Sequence, residues 1–296
     1  MKLFVLGNPI KHSKSPIIHN LWLKKINKKI IYEKKLLSEK QLGPMINMIR
    51  KGECLGFNVT LPFKTKILKF LDYYEENVKQ IGAANTVYVK GNKIMGANTD
   101  GKGFVSSLRH EVKMNLNNIK VFAIGAGGAS RGILLELLKH PIKEICICNR
   151  NVMNAKKLKK NLSLYSLNCK ITLQRWQKKK ILRKYDLVIN TTSFGMNLRE
   201  NLNFNFYALK QKTVVYDLIY SPNETIFLKK AKRSNMRSYN GVGMLVRQAA
   251  ESFTRWFNEE VSEKEINEVK RIILKKCLLL ASQERSEQEK LKQRKS

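Results

Sequence analysis

Two sets of residues in this chain have the types and spacing to do chemistry. The first is Val121-Phe-Ala-Ile-Gly-Ala-Gly-Gly-Ala-Ser-Arg131, where a short apolar run gives way to glycines and then to a helical pattern of Ile133, Leu134, Leu137 and Leu138. Strand, tight turn and helix in that order are the setting of a dinucleotide fingerprint. Gly125 and Gly127 permit backbone angles that a side chain forbids, so a pyrophosphate can approach closely. The N–H groups of about Gly128 to Ser130 then face the anion from the favourable end of the helix dipole. Ser130 occupies the place of the usual third glycine. The second strand, Glu144 to Cys148, ends in Asn149-Arg150 rather than in the acid that holds a ribose 2′-hydroxyl in NAD proteins. An amide and a guanidinium there suit the 2′-phosphate of NADP, which guanidinium binds as a bidentate fork.

The second set is a series of polar loops at the ends of apolar strands. Gly7-Asn-Pro-Ile-Lys-His-Ser-Lys-Ser-Pro16 carries Ser13 and Ser15; Gly56-Phe-Asn-Val-Thr-Leu-Pro-Phe-Lys64 carries Asn58, Thr60 and Lys64; Asn98-Thr-Asp-Gly101 carries Asp100. Part of this is local structure: Ser15 before Pro16 reads as an N-cap, and Asp100 as the cap of the next helix. Lys64 is expected near a helix start, where the dipole opposes an ammonium, although composition alone reads it as one solvated lysine among many. Loops of hydroxyls and amides at strand ends describe a cleft for a small polyhydroxylated molecule. Asn190-Thr-Thr-Ser-Phe-Gly-Met196 follows a strand and is placed to line the same crevice.

The elements that must position these loops follow the apolar periodicity. An apolar first strand (Lys2 to Leu6), a helix bearing Ile17, Ile18, Leu21 and Trp22, and a strand from Ile30 to Leu36 open the chain. Regular βαβ alternation begins at Ile119, with strands near Cys169–Leu173, Leu187–Ile189 and Thr213–Tyr216. A long helix, Met244 to Phe257, turns Leu245, Ala249, Phe253 and Trp256 inward, and Ser262 with Glu265 forms a capping box for the next, with Ile266, Val269, Ile273, Cys277 and Leu280 inward. At 296 residues the chain suits two domains. No apolar run approaches a membrane span, and Met1 to Leu6 is too short for a signal peptide. Five cysteines without C-x-x-C spacing read as reduced thiols in a cytoplasmic protein, and four scattered histidines suggest no metal site. The net charge of +34 creates a field for polyanions. Its lysines are spread along the whole chain, however, without a nucleic-acid motif, so no specific nucleic-acid partner is expected.

Taken together, the motifs resemble the shikimate dehydrogenases, NADP-linked enzymes of aromatic amino-acid biosynthesis. The resemblance runs from Met1 to about Ala281. It rests on Gly7-Asn-Pro-Ile with Ser13-Lys-Ser-Pro-Ile-Ile-His19, Asn58-Val-Thr-Leu-Pro-Phe-Lys64, Gly82-Ala-Ala-Asn-Thr86, Asn98-Thr-Asp-Gly101, Gly125-Ala-Gly-Gly-Ala-Ser130, Asn149-Arg150, Asn190-Thr-Thr-Ser193 and Gly241-Val-Gly-Met-Leu-Val-Arg-Gln-Ala-Ala250. It implies an α/β substrate domain (1–101 and 242–281) and a Rossmann domain for NADP(H) (102–241), with the C-terminal helices returning to the first domain; the polar, charged tail (282–296) lies beyond it and is expected to be disordered or a frayed helical extension.

The activity implied is NADPH-dependent, reversible reduction of 3-dehydroshikimate to shikimate, by a monomer or homodimer. By the same resemblance Ser13 and Ser15 hold the substrate carboxylate; Asn58, Thr60, Asn85, Asp100, Tyr220 and Gln248 hold ring hydroxyls; Lys64 and Asp100 are the catalytic pair. The cofactor falls to Gly125, Ala126, Gly127, Gly128, Ala129, Ser130, Asn149, Arg150 and Asn154, with Glu76, Thr191, Leu218 and Gly241 around it. Two departures stand out. Asn154 occupies a position that is often basic, with Lys156 and Lys157 just beyond, and Arg247 precedes Gln248 where a smaller or neutral residue is common. Arg247 therefore either adds charge to the cleft or lies on the surface. The alternatives are a quinate/shikimate dehydrogenase of broader specificity, or a basic nucleic-acid-binding protein that reuses the fold.

Overall fold

The computed structural model describes residues 1–176, 183–197, 200, 202 and 204–277; the expectations for Leu280 and for the charged tail lie outside them. In the first sheet β1 (Lys2–Gly7) lies between β2 (Ile31–Leu36) and β3 (Cys54–Val59), parallel to both, with α1 (Ser15–Lys25) and α2 (Leu42–Arg50) as crossovers. Beyond a short 3-10 turn at Lys66–Phe70 come β4 (Tyr73–Tyr74), α3 (Glu76–Ile81), β5 (Thr86–Lys90) and β6 (Lys93–Ala97). β5 pairs antiparallel with both β3 and β6, giving the order β2-β1-β3-β5-β6-β4.

The helix α4 (Asp100–His110) then crosses to the second sheet. That sheet is built from β7 (Lys120–Ile124), α5 (Gly128–Leu137), β8 (Glu144–Asn149), α6 (Val152–Ser163), β9 (Lys170–Arg175), β10 (Leu187–Asn190), β11 (Val214–Asp217), α7 (Ile226–Arg233) and β12 (Arg237–Tyr239). Its strands are all parallel in the order β12-β11-β10-β7-β8-β9. This is the doubly wound arrangement, and its order reverses between β7 and β10, where a ligand crevice must open at the strands' carboxyl ends.

The chain returns to the first sheet through α8 (Val242–Phe257) and a last helix, 263–277. Val246, Ala249, Phe253, Ile266, Val269 and Ile273 share one core with Leu3, Val5, Ile18 and Trp22. Each large side chain buried there stabilises the return by about 1.5–3 kcal/mol. Backbone contact tightens it further. A Cβ on Gly103 would lie 2.6 Å from the Gln248 nitrogen, so α4 and α8 cross at glycine distance.

Three local expectations are corrected. Ser15 does not cap α1: Lys14 is the N-cap residue, Ser15 is the first helical residue and buried, and the Ser13 hydroxyl accepts the Ser15 N–H at 3.3 Å. Lys64 does not start an α-helix. It precedes only the five-residue 3-10 turn, whose short dipole gives little opposition to an ammonium. Asp100 is the first residue of α4 rather than its cap, and its carboxylate is engaged elsewhere. The expected boundary at 101/102 falls inside α4, which continues unbroken to His110.

Candidate active site

Lys64 and Asp100 meet where the β3 loop faces the start of α4. The Lys64 ammonium donates to Asp100 Oδ2 at 2.5 Å, with the side chains 19% and 8% exposed. Asp100 Oδ1 accepts from the Asn85 amide at 2.9 Å, and the same amide reaches Gln248 Oε1 on α8 at 3.3 Å. Backbone bonds hold the segments in place: Ala84 N–H donates to the Lys64 carbonyl at 2.8 Å, and Thr99 N–H to Asn85 Oδ1 at 2.9 Å. A cation, a carboxylate and two amides thus converge from four segments. Lys64 is no solvated surface lysine.

A second ring of polar groups lies behind this one. Asn58 is buried, accepting from the Tyr32 hydroxyl at 2.7 Å and donating to the Asn85 carbonyl, Thr86 Oγ1 and Ser252 Oγ at 3.0–3.1 Å. Through its bond to the Asn85 carbonyl, Asn58 braces the loop that carries Asn85. Tyr32, Thr86 and Ser252 were missed by the sequence reading. Ser252 alone left a signal, one helical turn after Gln248 on the same face of α8. Behind Tyr32, the His19 ring is fully buried and stacked at 4.4 Å; burial pushes its pKa down to about 3, so it stays neutral. Ser13 sits in the loop before α1, the Thr60 methyl packs on Gly7, and burial pushes the Tyr220 phenol up to about 12.

The glycine turn leaves β7 and leads into α5. Gly125 has φ +115°, and a Cβ there would lie 2.4 Å from Thr191 Oγ1, so only glycine fits between β7 and the loop after β10. Thr191 in turn donates to the Ile124 carbonyl at 2.8 Å. Ser130, in the third-glycine position, donates to the Gly125 carbonyl at 3.0 Å and so closes the turn from inside. A Cβ on Gly127 or Gly128 would meet nothing, leaving an open cradle at the first turn of α5, whose N–H groups have no intrahelical partners. The fit to a pyrophosphate is good.

Asn149 ends β8 and Arg150 follows it, exposed with no acid in ion-pair range among the described residues. Asn151 caps α6 by accepting the Asn154 N–H at 3.1 Å; Lys156 and Lys157 are exposed on the next turn. Leu218 and Gly241 are in backbone contact, since a Cβ on Gly241 would lie 1.9 Å from the Leu218 carbonyl. Glu76 is exposed on α3 and ion-paired to Lys79 at 3.2 Å. Arg247 resolves neither way expected. It is 2% exposed, yet faces away from the cleft into Glu111, Glu263 and Ser106.

Asp217, beneath this crevice, holds its two loops. It accepts from Asn190 Nδ2 at 3.0 Å, the Ile219 N–H at 3.1 Å and Thr225 Oγ1 at 2.7 Å, and burial pushes its pKa up to about 6. A folded pKa raised above the unfolded value gives stability that is complete below about pH 4 and lost as pH rises through about 6. Relative to Asp217→Asn, the parent should therefore lose roughly 3 kcal/mol between those limits. Urea midpoints of both proteins from pH 4 to 7 measure this; a constant difference would show that Asp217 does not titrate there.

The chain matches the profile of the shikimate dehydrogenase substrate binding domain over residues 5–87, that of shikimate / quinate 5-dehydrogenase over 107–221, and that of the shikimate 5′-dehydrogenase C-terminal domain over 241–269. It is 38% identical over 265 residues to the shikimate dehydrogenase (NADP(+)) of Pelagibacter ubique, covering 89% of this chain and 96% of that one. The chain belongs to the shikimate dehydrogenase family. A crystal structure of a shikimate dehydrogenase in complex with NADP+ superposes with a TM-score of 0.85 at 33% identity, over 93% of this chain and 95% of that one. Shikimate 5-dehydrogenase from Listeria monocytogenes, in complex with shikimate and NAD, gives 0.84 at 29% identity over 92% and 96%. The first sheet therefore corresponds to the family's substrate domain and the second to its cofactor domain. No helix among the described residues is long and apolar enough to cross a membrane.

Proposed function

We propose that this chain catalyses the reversible, NADP-linked reduction of 3-dehydroshikimate to shikimate. The observation that carries this reading is the Lys64–Asp100 pair, held by Asn85 and Gln248 and packed beside the helix that follows the glycine turn, where a Cβ on Gly132 would lie 3.9 Å from Asp100 Cβ. NADPH, when bound, supplies the hydride; Gly125 to Ser130 would hold its pyrophosphate, and Asn149 and Arg150 its 2′-phosphate. Reducing a ketone leaves an alkoxide, a poor ion in a half-buried cleft. The Lys64 ammonium gives it a proton or a fixed positive charge, and Asp100 aims that ammonium while accepting from the neighbouring hydroxyl.

Ser13 and Ser15 hold the carboxylate, and Asn58, Thr60, Asn85, Asp100, Tyr220 and Gln248 the ring hydroxyls. The substrate domain is taken as 1–101 with 242–281 and the cofactor domain as 102–241. Four of the five cysteines are buried and all are unpaired, which supports a reducing, cytoplasmic setting.

Shikimate oxidation assayed with NADP and NAD side by side, and with quinate in place of shikimate, tests the reading. Turnover should be higher in kcat/KM with NADP and with shikimate. No turnover with either cofactor overturns the activity, and equal use of quinate shifts it to the broader specificity. In the same assay Arg150→Ala should raise KM for NADP roughly ten- to a hundred-fold, the equivalent of about 1.5–3 kcal/mol for a charge-assisted contact, while hardly changing that for NAD. Equal effects on both cofactors would assign Arg150 another role.

A further inference from the structure

Arg131 lies in the first turn of α5, immediately after the glycine cradle, and its side chain leaves its own unit. Nη1 donates to the Ile81 carbonyl at 2.7 Å, at the C-terminus of α3 in the substrate half. That carbonyl is one of the last four of α3, which have no intrahelical partner and carry the negative end of the dipole, so a guanidinium is a fitting cap. Gly82 follows in the left-handed conformation with φ +68°, and a Cβ there would stand only 3.3 Å from Arg131 Nη1. Arg131 makes no ion pair among the described residues, and its Nε has no hydrogen-bond partner. The Ile81 contact is therefore what orients the guanidinium.

The segment it grips leads straight into the reacting centre. From Gly82 the chain passes Ala84, whose N–H holds the Lys64 carbonyl, to Asn85, whose amide holds Asp100. The next turn of α5 touches the same centre from the other side: a Cβ on Gly101 would lie 2.5 Å from the Gly132 carbonyl, and one on Gly132 3.9 Å from Asp100 Cβ. The helix whose N-terminus faces the pyrophosphate is thus in register with both segments that carry the lysine–aspartate pair.

We propose that Arg131 is a positioning residue which sets the approach of the cofactor to the substrate by pinning α5 to the end of α3. Apart from Tyr220 and Glu76, the substrate contacts proposed above lie in one half and the cofactor contacts in the other, so neither ligand needs Arg131 to bind. What it fixes is the distance and angle between them, to which hydride transfer is steep; a misplacement of about 1 Å can cost on the order of a hundred-fold. The inference rests on the dehydrogenase reading above, which the parent enzyme's own turnover tests separately.

The experiment compares the parent, Arg131→Leu and Arg131→Lys for steady-state kinetics, NADP binding by fluorescence titration, and the deuterium isotope effect with NADPH labelled at the transferred hydrogen. Arg131→Leu should lose about ten-fold or more in kcat, with both KM values and the NADP affinity within a few-fold of the parent. Its isotope effect should exceed the parent's, because hydride transfer becomes more rate-limiting. Arg131→Lys should recover part of kcat, since an ammonium can still donate to the Ile81 carbonyl. A rise in KM and in NADP dissociation with kcat unchanged would make Arg131 a cofactor ligand and overturn the proposal. So would a kcat loss without any change in isotope effect. If Arg131→Leu does not fold, Arg131→Lys alone decides, by whether kcat falls and the isotope effect rises at unchanged NADP affinity.

Discussion

Replacing Lys64 by alanine is expected to lower kcat on the order of a hundred-fold or more while leaving KM for shikimate within a few-fold. The ammonium lies at the meeting point of the β3 loop and α4, 2.5 Å from Asp100 and only 19% exposed. Charge placed there acts on the oxygen that becomes an alkoxide, an interaction made mainly in the transition state. Substrate binding rests on other groups, with the carboxylate at Ser13 and Ser15. Asp100→Asn should also lose activity, because an amide cannot hold the ammonium as a carboxylate does. The double variant should be much less impaired than the product of the two single effects, since each single variant already breaks the same unit. Steady-state kinetics on the three variants decides the point. If Lys64→Ala raises KM and leaves kcat near the parent value, Lys64 is a substrate clamp and the catalytic assignment fails.

How much of this site could be read from the sequence depends on how far each residue's partners lie along the chain. The glycine turn was legible because its physics is local: Gly125 at φ +115°, Ser130 closing on Gly125 and the opening of α5 all fall within a few residues. Strand order was half legible. βαβ alternation implied the parallel second sheet, but nothing local announced that β5 would pair antiparallel with β3. Side-chain roles were least legible where the partner is remote. One acceptor of the Asn58 amide, Ser252, is 194 residues away, and that distance hides the bracing contact from the sequence. Ser15 and Asp100 were mistaken for caps because both stand one residue inside their helices, an offset that sequence patterns do not resolve. Lys64 was ambiguous among 57 basic residues until folding gave it a buried carboxylate.

Arg247 is the case where neither expected outcome occurred, and it leads to the second large effect. Arg247→Ala should destabilise the protein by about 3 kcal/mol and lower Tm by roughly 6–12 °C. The guanidinium donates to both Glu263 oxygens at 2.6 and 2.9 Å, to Glu111 at 3.2 Å and to Ser106 at 3.1 Å, tying α8 to the end of α4 and to the last helix. Alanine removes these bonds and leaves a cavity beside a carboxylate that is only 14% exposed. The figure sits at the low end for broken buried pairs because Glu111 keeps Lys270 at 3.2 Å, and Glu263, nearly half exposed, keeps His110. Arg247→Met fills most of the volume without the charge and should cost less, within about 1.5 kcal/mol of the parent. The hydrogen bond from Arg247 holds the Glu263 carboxyl below its usual pKa. That contribution is present above the unfolded value and lost as pH falls, so the gap between parent and Arg247→Ala should narrow below about pH 4. Throughout, kcat and KM of the folded variants should stay within about two-fold, since Arg247 faces away from Gln248's side of the helix. Melting curves and kinetics on both variants test this together. Two variants as stable as the parent would show that the buried network contributes nothing, and a rise in KM for shikimate would return Arg247 to the cleft.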